Sequence, residues 1–148
     1  MRALLQNDVL LAALFGWLMA QILKVFTHRA IAGRWDLGVA WSTGGMPSTH
    51  SAIVAGLATS VALQHGLADT RFAITVVFAG IVMYDAAGIR RAAGLHARIL
   101  NQILAELFEG HPLSQAQLRE LLGHTPLQVL VGAIVGIASA WVYWLWLR

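Results

Sequence analysis

Three stretches of this chain, Val9 to Phe26, Phe72 to Ile89 and Leu127 to Leu147, each approach the roughly 20 mostly apolar residues that a helix needs to cross a bilayer. Backbone in lipid has no water to bond, so such runs fold as helices that satisfy their own polar groups. In a chain of 148 residues they leave little for a separate soluble core. Charged residues make up 11%, against roughly a quarter in soluble domains, and the reading is one all-α membrane-embedded domain over residues 1–148. The first run is long for a signal sequence, contains Trp17 and Gln21, and leads into Lys24, His28 and Arg29 rather than a small-residue cleavage site. It is read as a retained span.

A fourth run, Ser48 to Leu63, is shorter and opens with polar residues, so its start is expected in a protein-lined, wet cavity. Four passes result. Between the third and fourth, Arg90 to Phe108 mixes Arg90, Arg91, Arg98 and Glu106 with Ala93, Ala97, Leu100, Leu104 and Leu107 at helical spacing. That pattern predicts an amphipathic helix, either in the membrane interface or packed across the bundle. After the loop EGHP, Ser114 to Leu122 reads as a short helix with Ser114 as N-cap and Gln117 three residues on.

Basic residues set the expected orientation. Lys24, Arg29 and Arg34 follow the first span, and Arg90, Arg91, Arg98 and Arg119 lie between the third and fourth; opposite them stand Arg2, Arg71 and Arg148. The positive-inside rule puts the two basic connections in the cytoplasm and both termini outside. The formal charge of +3 points to membrane headgroups rather than nucleic acid, since no nucleic-acid-binding motif is present. With no cysteine, disulfides and thiolate metal sites are excluded.

The same topology gathers GGMPSTH (Gly44 to His50), Asp85 and His124 at the face that carries those cations. Such a concentration is costly unless an anion neutralises it, and phosphate does so well. Glycines such as Gly45 let the backbone approach a ligand, Pro47 can begin a helix, and Ser48 and Thr49 offer hydroxyls beside the N–H groups of a first helical turn. A plain turn and helix cap is the competing reading of this cluster. His124, just before Thr125 and Pro126, is a capping residue or a reactive one. Gly132 and Gly136 form a small-xxx-small packing face.

Taken in order, GGMPSTHSA, then MYDAAGIRRAAG with LNQI, then LLGHTPLQVLVGAIVG resemble the divergent branch of the type-2 phosphatidic acid phosphatase and vanadium haloperoxidase superfamily. The resemblance runs from about Gln21 to Gly136 and implies a phosphatase-like helical bundle. It implies that His124 is the nucleophile and His50 the general acid, with Pro47, Ser48 and Thr49 in the first phosphate-binding block. Lys24 and Arg29 are candidate cations of that block; Arg90, Arg91 and Arg119 are further phosphate ligands. No metal and no cofactor is called for. Where the parent superfamily has an acidic residue four positions after the nucleophile, this chain has Gln128, which can fix a tautomer but adds no charge. Asp85 is either the substitute carboxylate or a structural ion-pair partner of Arg90 or Arg91.

The expected function is hydrolysis of a lipid phosphomonoester or diphosphate, such as a phosphatidylglycerol phosphate, a phosphatidate or a prenyl diphosphate, at the cytoplasmic face of a bacterial inner membrane. The alternative is a silent lipid-phosphate binder or transporter. A homodimer is expected through the Ala93 to Leu107 face or the Gly132 face.

Overall fold

The computed structural model describes residues 2–42, 44–107 and 124–148, with the backbone but not the side chains of residues 2, 3, 89–93, 95, 98 and 105–107, Arg90 and Arg91 among them. The predicted helix Ser114 to Leu122 and the candidate ligand Arg119 lie outside the described residues. Helices are α1 (Arg2–Leu5), α2 (Asp8–Ala32), α3 (Thr49–His65), α4 (Thr70–Leu107) and α5 (Pro126–Val142). A 3-10 turn, Leu37–Trp41, follows α2, and a π turn, Tyr143–Leu147, continues α5. The described residues contain no strand.

Three segments are long and apolar enough to cross a membrane: Asp8–Ala32, Thr70–Gly88 and Pro126–Leu147. The fourth expected pass is α3, at 17 residues the shortest of the four. It is the centre of the bundle, packed against α2, α4 and α5. Its composition explains this, because Ala52, Ala55, Gly56, Ala58 and Ser60 leave no bulky ridge and let neighbouring helices come close.

Where the sequence predicts a span followed by a separate amphipathic helix, α4 is one continuous helix of 38 residues, about 57 Å long. No proline or turn cluster separates the two parts, and Ala, Leu and Arg propagate a helix readily past Gly88 and Gly94. At its start, Asp69 accepts hydrogen bonds from the Arg71 backbone N–H at 2.8 Å and from its guanidinium at 2.8 and 2.9 Å. Those bonds hold the Asp69 carboxyl well below the usual carboxylate range. The clasp is therefore complete at neutral pH and is lost only as strong acid protonates Asp69.

Contacts give the helix directions. A Cβ on Gly16 of α2 would sit 3.4 Å from the Ala52 carbonyl oxygen of α3, and one on Gly56 would sit 3.6 Å from Ala13 Cα. Rising numbers thus meet falling ones, and α2 and α3 are antiparallel. By contrast α3 and α5 are parallel and in register. Gly132 meets Ser48, Gly136 meets Ala52, and the Trp144 indole N–H donates to Ser60 Oγ at 2.6 Å. Each of these pairs is 84 residues apart. At the far end, Asp8 receives the Arg148 guanidinium at 3.3 Å and the Tyr143 hydroxyl at 3.2 Å, which ties the start of α2 to the end of the chain. Both termini therefore share one end of the bundle, and the GGMPSTH loop with His124 occupies the other.

The tightest point is the crossing of α3 and α5. A Cβ on Gly136 would overlap the Ala52 carbonyl and lie 2.9 Å from Ala52 Cα; one on Gly132 would overlap the Ser48 carbonyl and come within 3.0 Å of Ser51 Cβ. Backbone atoms cannot retreat as a flexible side chain can. The Gly132 face, one of the two surfaces expected to carry a dimer, is consumed inside the protomer. Gly132→Ala and Gly136→Ala should each lower stability by about 1–3 kcal/mol, seen as a lower thermal unfolding midpoint in detergent. Gly80→Ala, whose Cβ would meet nothing within 4 Å, should leave that midpoint unchanged or raise it.

Candidate functional site

The loop between α2 and α3 is shaped by two glycines in the left-handed region, Gly44 at φ 113° and Gly45 at φ 81°. A side chain there would be strained. Gly45 also lies against the Lys24 stem, with a Cβ on it falling 3.4 Å from Lys24 Cε. Lys24 is 1% exposed, and its Nζ donates to the Ser42 carbonyl at 2.9 Å. Thr27 donates its hydroxyl hydrogen to the Met46 carbonyl, so two residues one turn apart on α2 hold the loop from below. The Met46–Pro47 peptide is cis. Pro47 does not begin the helix: Ser48 is the N-cap, and Pro47 stands one position before it.

Ser48 is wholly buried and engaged on both its side chain and its backbone. Its Oγ accepts from the Ser51 N–H at 3.3 Å and the Ser51 hydroxyl at 3.1 Å, while its N–H donates to the Gln128 carbonyl at 3.1 Å. That last bond joins the first turn of α3 to the first turn of α5. Thr49 is buried beside it, and His50 follows in the same turn.

His124 arrives at this point from the other side. It is 2% exposed, and its backbone N–H donates to the Ala86 carbonyl of α4 at 3.2 Å. Thr125 then caps α5 with Gln128 in a reciprocal capping box. The Gln128 Oε1 accepts from the Thr125 N–H at 3.0 Å and lies 3.3 Å from His124 Nδ1. Because the Thr125 N–H requires an acceptor there, the oxygen of the amide faces His124, and Nδ1 must be the donor. The lone pair of a neutral ring is thereby placed on Nε2. The His50 and His124 rings are 5.9 Å apart between centroids and inclined at 63°.

The structure thus brings together His50, His124, Ser48, Thr49 and Gln128, with Gly45 in the adjoining loop and Lys24 of α2 beneath it. It does not bring Arg29 there. That side chain is exposed, donates to the Gly33 carbonyl and lies 5.7 Å from the Trp35 ring, at the end of its own helix. Asp85 is exposed on α4 beside Ala86, and the group next to His124 Nδ1 is the side-chain amide oxygen of Gln128. Among the described residues, no group of three or more His, Cys, Asp or Glu side chains is placed to hold a metal ion.

Sequence reasoning passed over two residues. Gln21 Oε1 and His28 Nδ1 are buried with no hydrogen-bond partner among the described residues. With Lys24 they form a polar stripe at i, i+3 and i+7 on an otherwise apolar helix. That spacing was the available signal, since polar residues inside a membrane span face protein or a cavity. Removing the Gln128 amide should release the His124 ring: in 15N NMR of histidine-labelled protein, the parent should show His124 with its proton on Nδ1, and Gln128→Ala should show a tautomer mixture. Loss of the capping box should also lower stability by about 1 kcal/mol.

A model of the family described as the Divergent PAP2 family matches residues 5–139. A Bacillus subtilis (strain 168) protein, described as the uncharacterized membrane protein YuiD, is 39% identical over 145 residues, covering 90% of this chain and 92% of its own. No solved structure matches the chain. With the family match spanning nearly the whole helical bundle and both histidine blocks, the chain belongs to the Divergent PAP2 family.

Proposed function

We propose that this membrane protein hydrolyses a lipid phosphomonoester or diphosphate through a phosphohistidine on His124. The observation that carries the reading is the pair of imidazoles 5.9 Å apart at the adjoining N-termini of two parallel helices. Helix N-termini favour anions, and two of them side by side repel one another unless negative charge lies between. Buried Lys24 adds a cation to the same loop. Arg90, Arg91 and Arg119 are proposed as further phosphate ligands, and Arg29 as a cation that meets the headgroup region.

In the proposed first step, His124 Nε2 attacks phosphorus while the bond to the lipid oxygen breaks, and His50 as imidazolium gives that oxygen its proton. Gln128 keeps the Nδ1 proton of His124 in place, so the phosphorylated ring carries its positive charge toward a carbonyl dipole. In the second step, water attacks phosphorus, neutral His50 takes its proton, and the Nε2–P bond breaks to release phosphate. The site is proposed to face the cytoplasm of a bacterial inner membrane, the side to which Lys24 and the arginines after it point the positive-inside rule. Self-association is proposed through the Ala93 to Leu107 face.

A second reading is favoured by Gln128. A neutral amide supports the developing imidazolium less than a carboxylate does, which suits a protein that binds lipid phosphate without turning it over. Purified protein in detergent with EDTA, offered phosphatidate, phosphatidylglycerol phosphate and a prenyl diphosphate, should release phosphate from at least one. His50→Ala and His124→Ala should each slow release by about a hundredfold or more; unchanged rates in both would overturn the mechanism. Gln128→Glu should raise turnover in an enzyme, whereas phosphate-sensitive lipid binding with no hydrolysis in either form would establish the binder.

A further inference from the structure

Below the histidines, α4 packs on α3 and scarcely meets α5, so the two diverge above the small side chains of α3. Between them runs a cavity of about 680 Å3, floored by Ala55, Ala58 and Ala62 and walled by Gly80 and Met83 on one side and Ala133 on the other. Its lining is apolar along its whole length, with Thr59 contributing the one hydroxyl. From Phe72 to Met83 it follows 12 residues of α4, about 16 Å of helix. Met83 is one turn from Ala86, whose carbonyl holds the His124 N–H. The upper end of the hollow therefore opens beside the proposed phosphate site.

We infer that this hollow holds one hydrocarbon chain of the lipid whose phosphate lies at His50 and His124, an inference that rests on the functional reading above. Position and lining decide against water, because both walls belong to segments apolar enough to cross a membrane. Continuity with the proposed phosphate site decides against a helix from a second copy, since one lipid molecule fills both with its headgroup and its chain. An extended chain fits.

A chain leaving the bilayer for this hollow exchanges one apolar surrounding for another, so what holds it there is close packing against the small side chains rather than the hydrophobic effect. The hollow also supplies aim. It holds the lipid along the α3 axis and delivers the headgroup to the first turns of α3 and α5. Long-chain phosphates should be oriented by it and short-chain ones should not.

Gly80→Leu tests this, since a Cβ there meets nothing within 4 Å and Gly80 lines the hollow. Ala133→Leu narrows it from the opposite wall. In detergent, native mass spectrometry of dioleoyl phosphatidate should show each variant binding about tenfold more weakly than the parent protein, with dibutyryl phosphatidate bound equally by all. His50→Ala/His124→Ala should weaken both lipids. Parent-like binding of dioleoyl phosphatidate by both groove variants would overturn the inference. Weakened long-chain binding in the groove variants, with parent-like binding of both phosphatidates by the histidine double variant, would instead overturn the phosphate site on which it rests.

Discussion

The architecture depends on the contact between α3 and α5, where two glycines let backbone meet backbone. Helices in lipid gain nothing from the hydrophobic effect when they associate, because acyl chains are as apolar as leucine; close packing and interhelical hydrogen bonds must hold them. Gly132 and Gly136 allow the Ser48 and Ala52 carbonyls to approach α5, and the Ser48 N–H bond to Gln128 is possible only at that separation. The register set there extends to Trp144 and Ser60 at the opposite end. It also places the first turns of both helices side by side, and so brings two histidines 74 positions apart in the numbering within ring contact.

That arrangement concentrates positive potential. Parallel helices with adjoining N-termini and a lysine buried beneath the loop act in the same sense. Within this field Gln128 serves two structures at once, completing the cap of α5 and orienting His124. The use of one amide for both purposes explains how the ring can be held so firmly without a carboxylate. Helix α3 itself has two characters: its first turn is polar and tied into the loop, while alanines of the following turns form the floor of the apolar hollow.

Part of this was legible in the residues. The long apolar runs, the glycine pair in the loop and the His-Thr-Pro start of α5 all report local chemistry, and each appears where its pattern points. The unbroken α4 was less legible, since a change from apolar to mixed composition looks like a boundary although nothing there interrupts the helix. Arg29 could not be placed from its charge. Its position four residues before Gly33 lets it reach the last carbonyls of α2, and that local bond directs it away from the histidines. Gln21 and His28 were visible only as isolated polar residues until the α2 face carrying Lys24 was seen to turn inward.

By itself the sequence determined that this chain is a membrane-class helical protein and which residue types could meet a phosphate, because hydropathy and backbone freedom act over a few neighbouring residues. Tertiary structure alone decided that α3 is the enclosed helix, that α3 and α5 run parallel with their N-termini together, and that His50 and His124 face one another. The physical reason is that these follow from which surfaces fit at close range, and two glycines on α5 acquire their meaning only from the carbonyls of α3 that approach them.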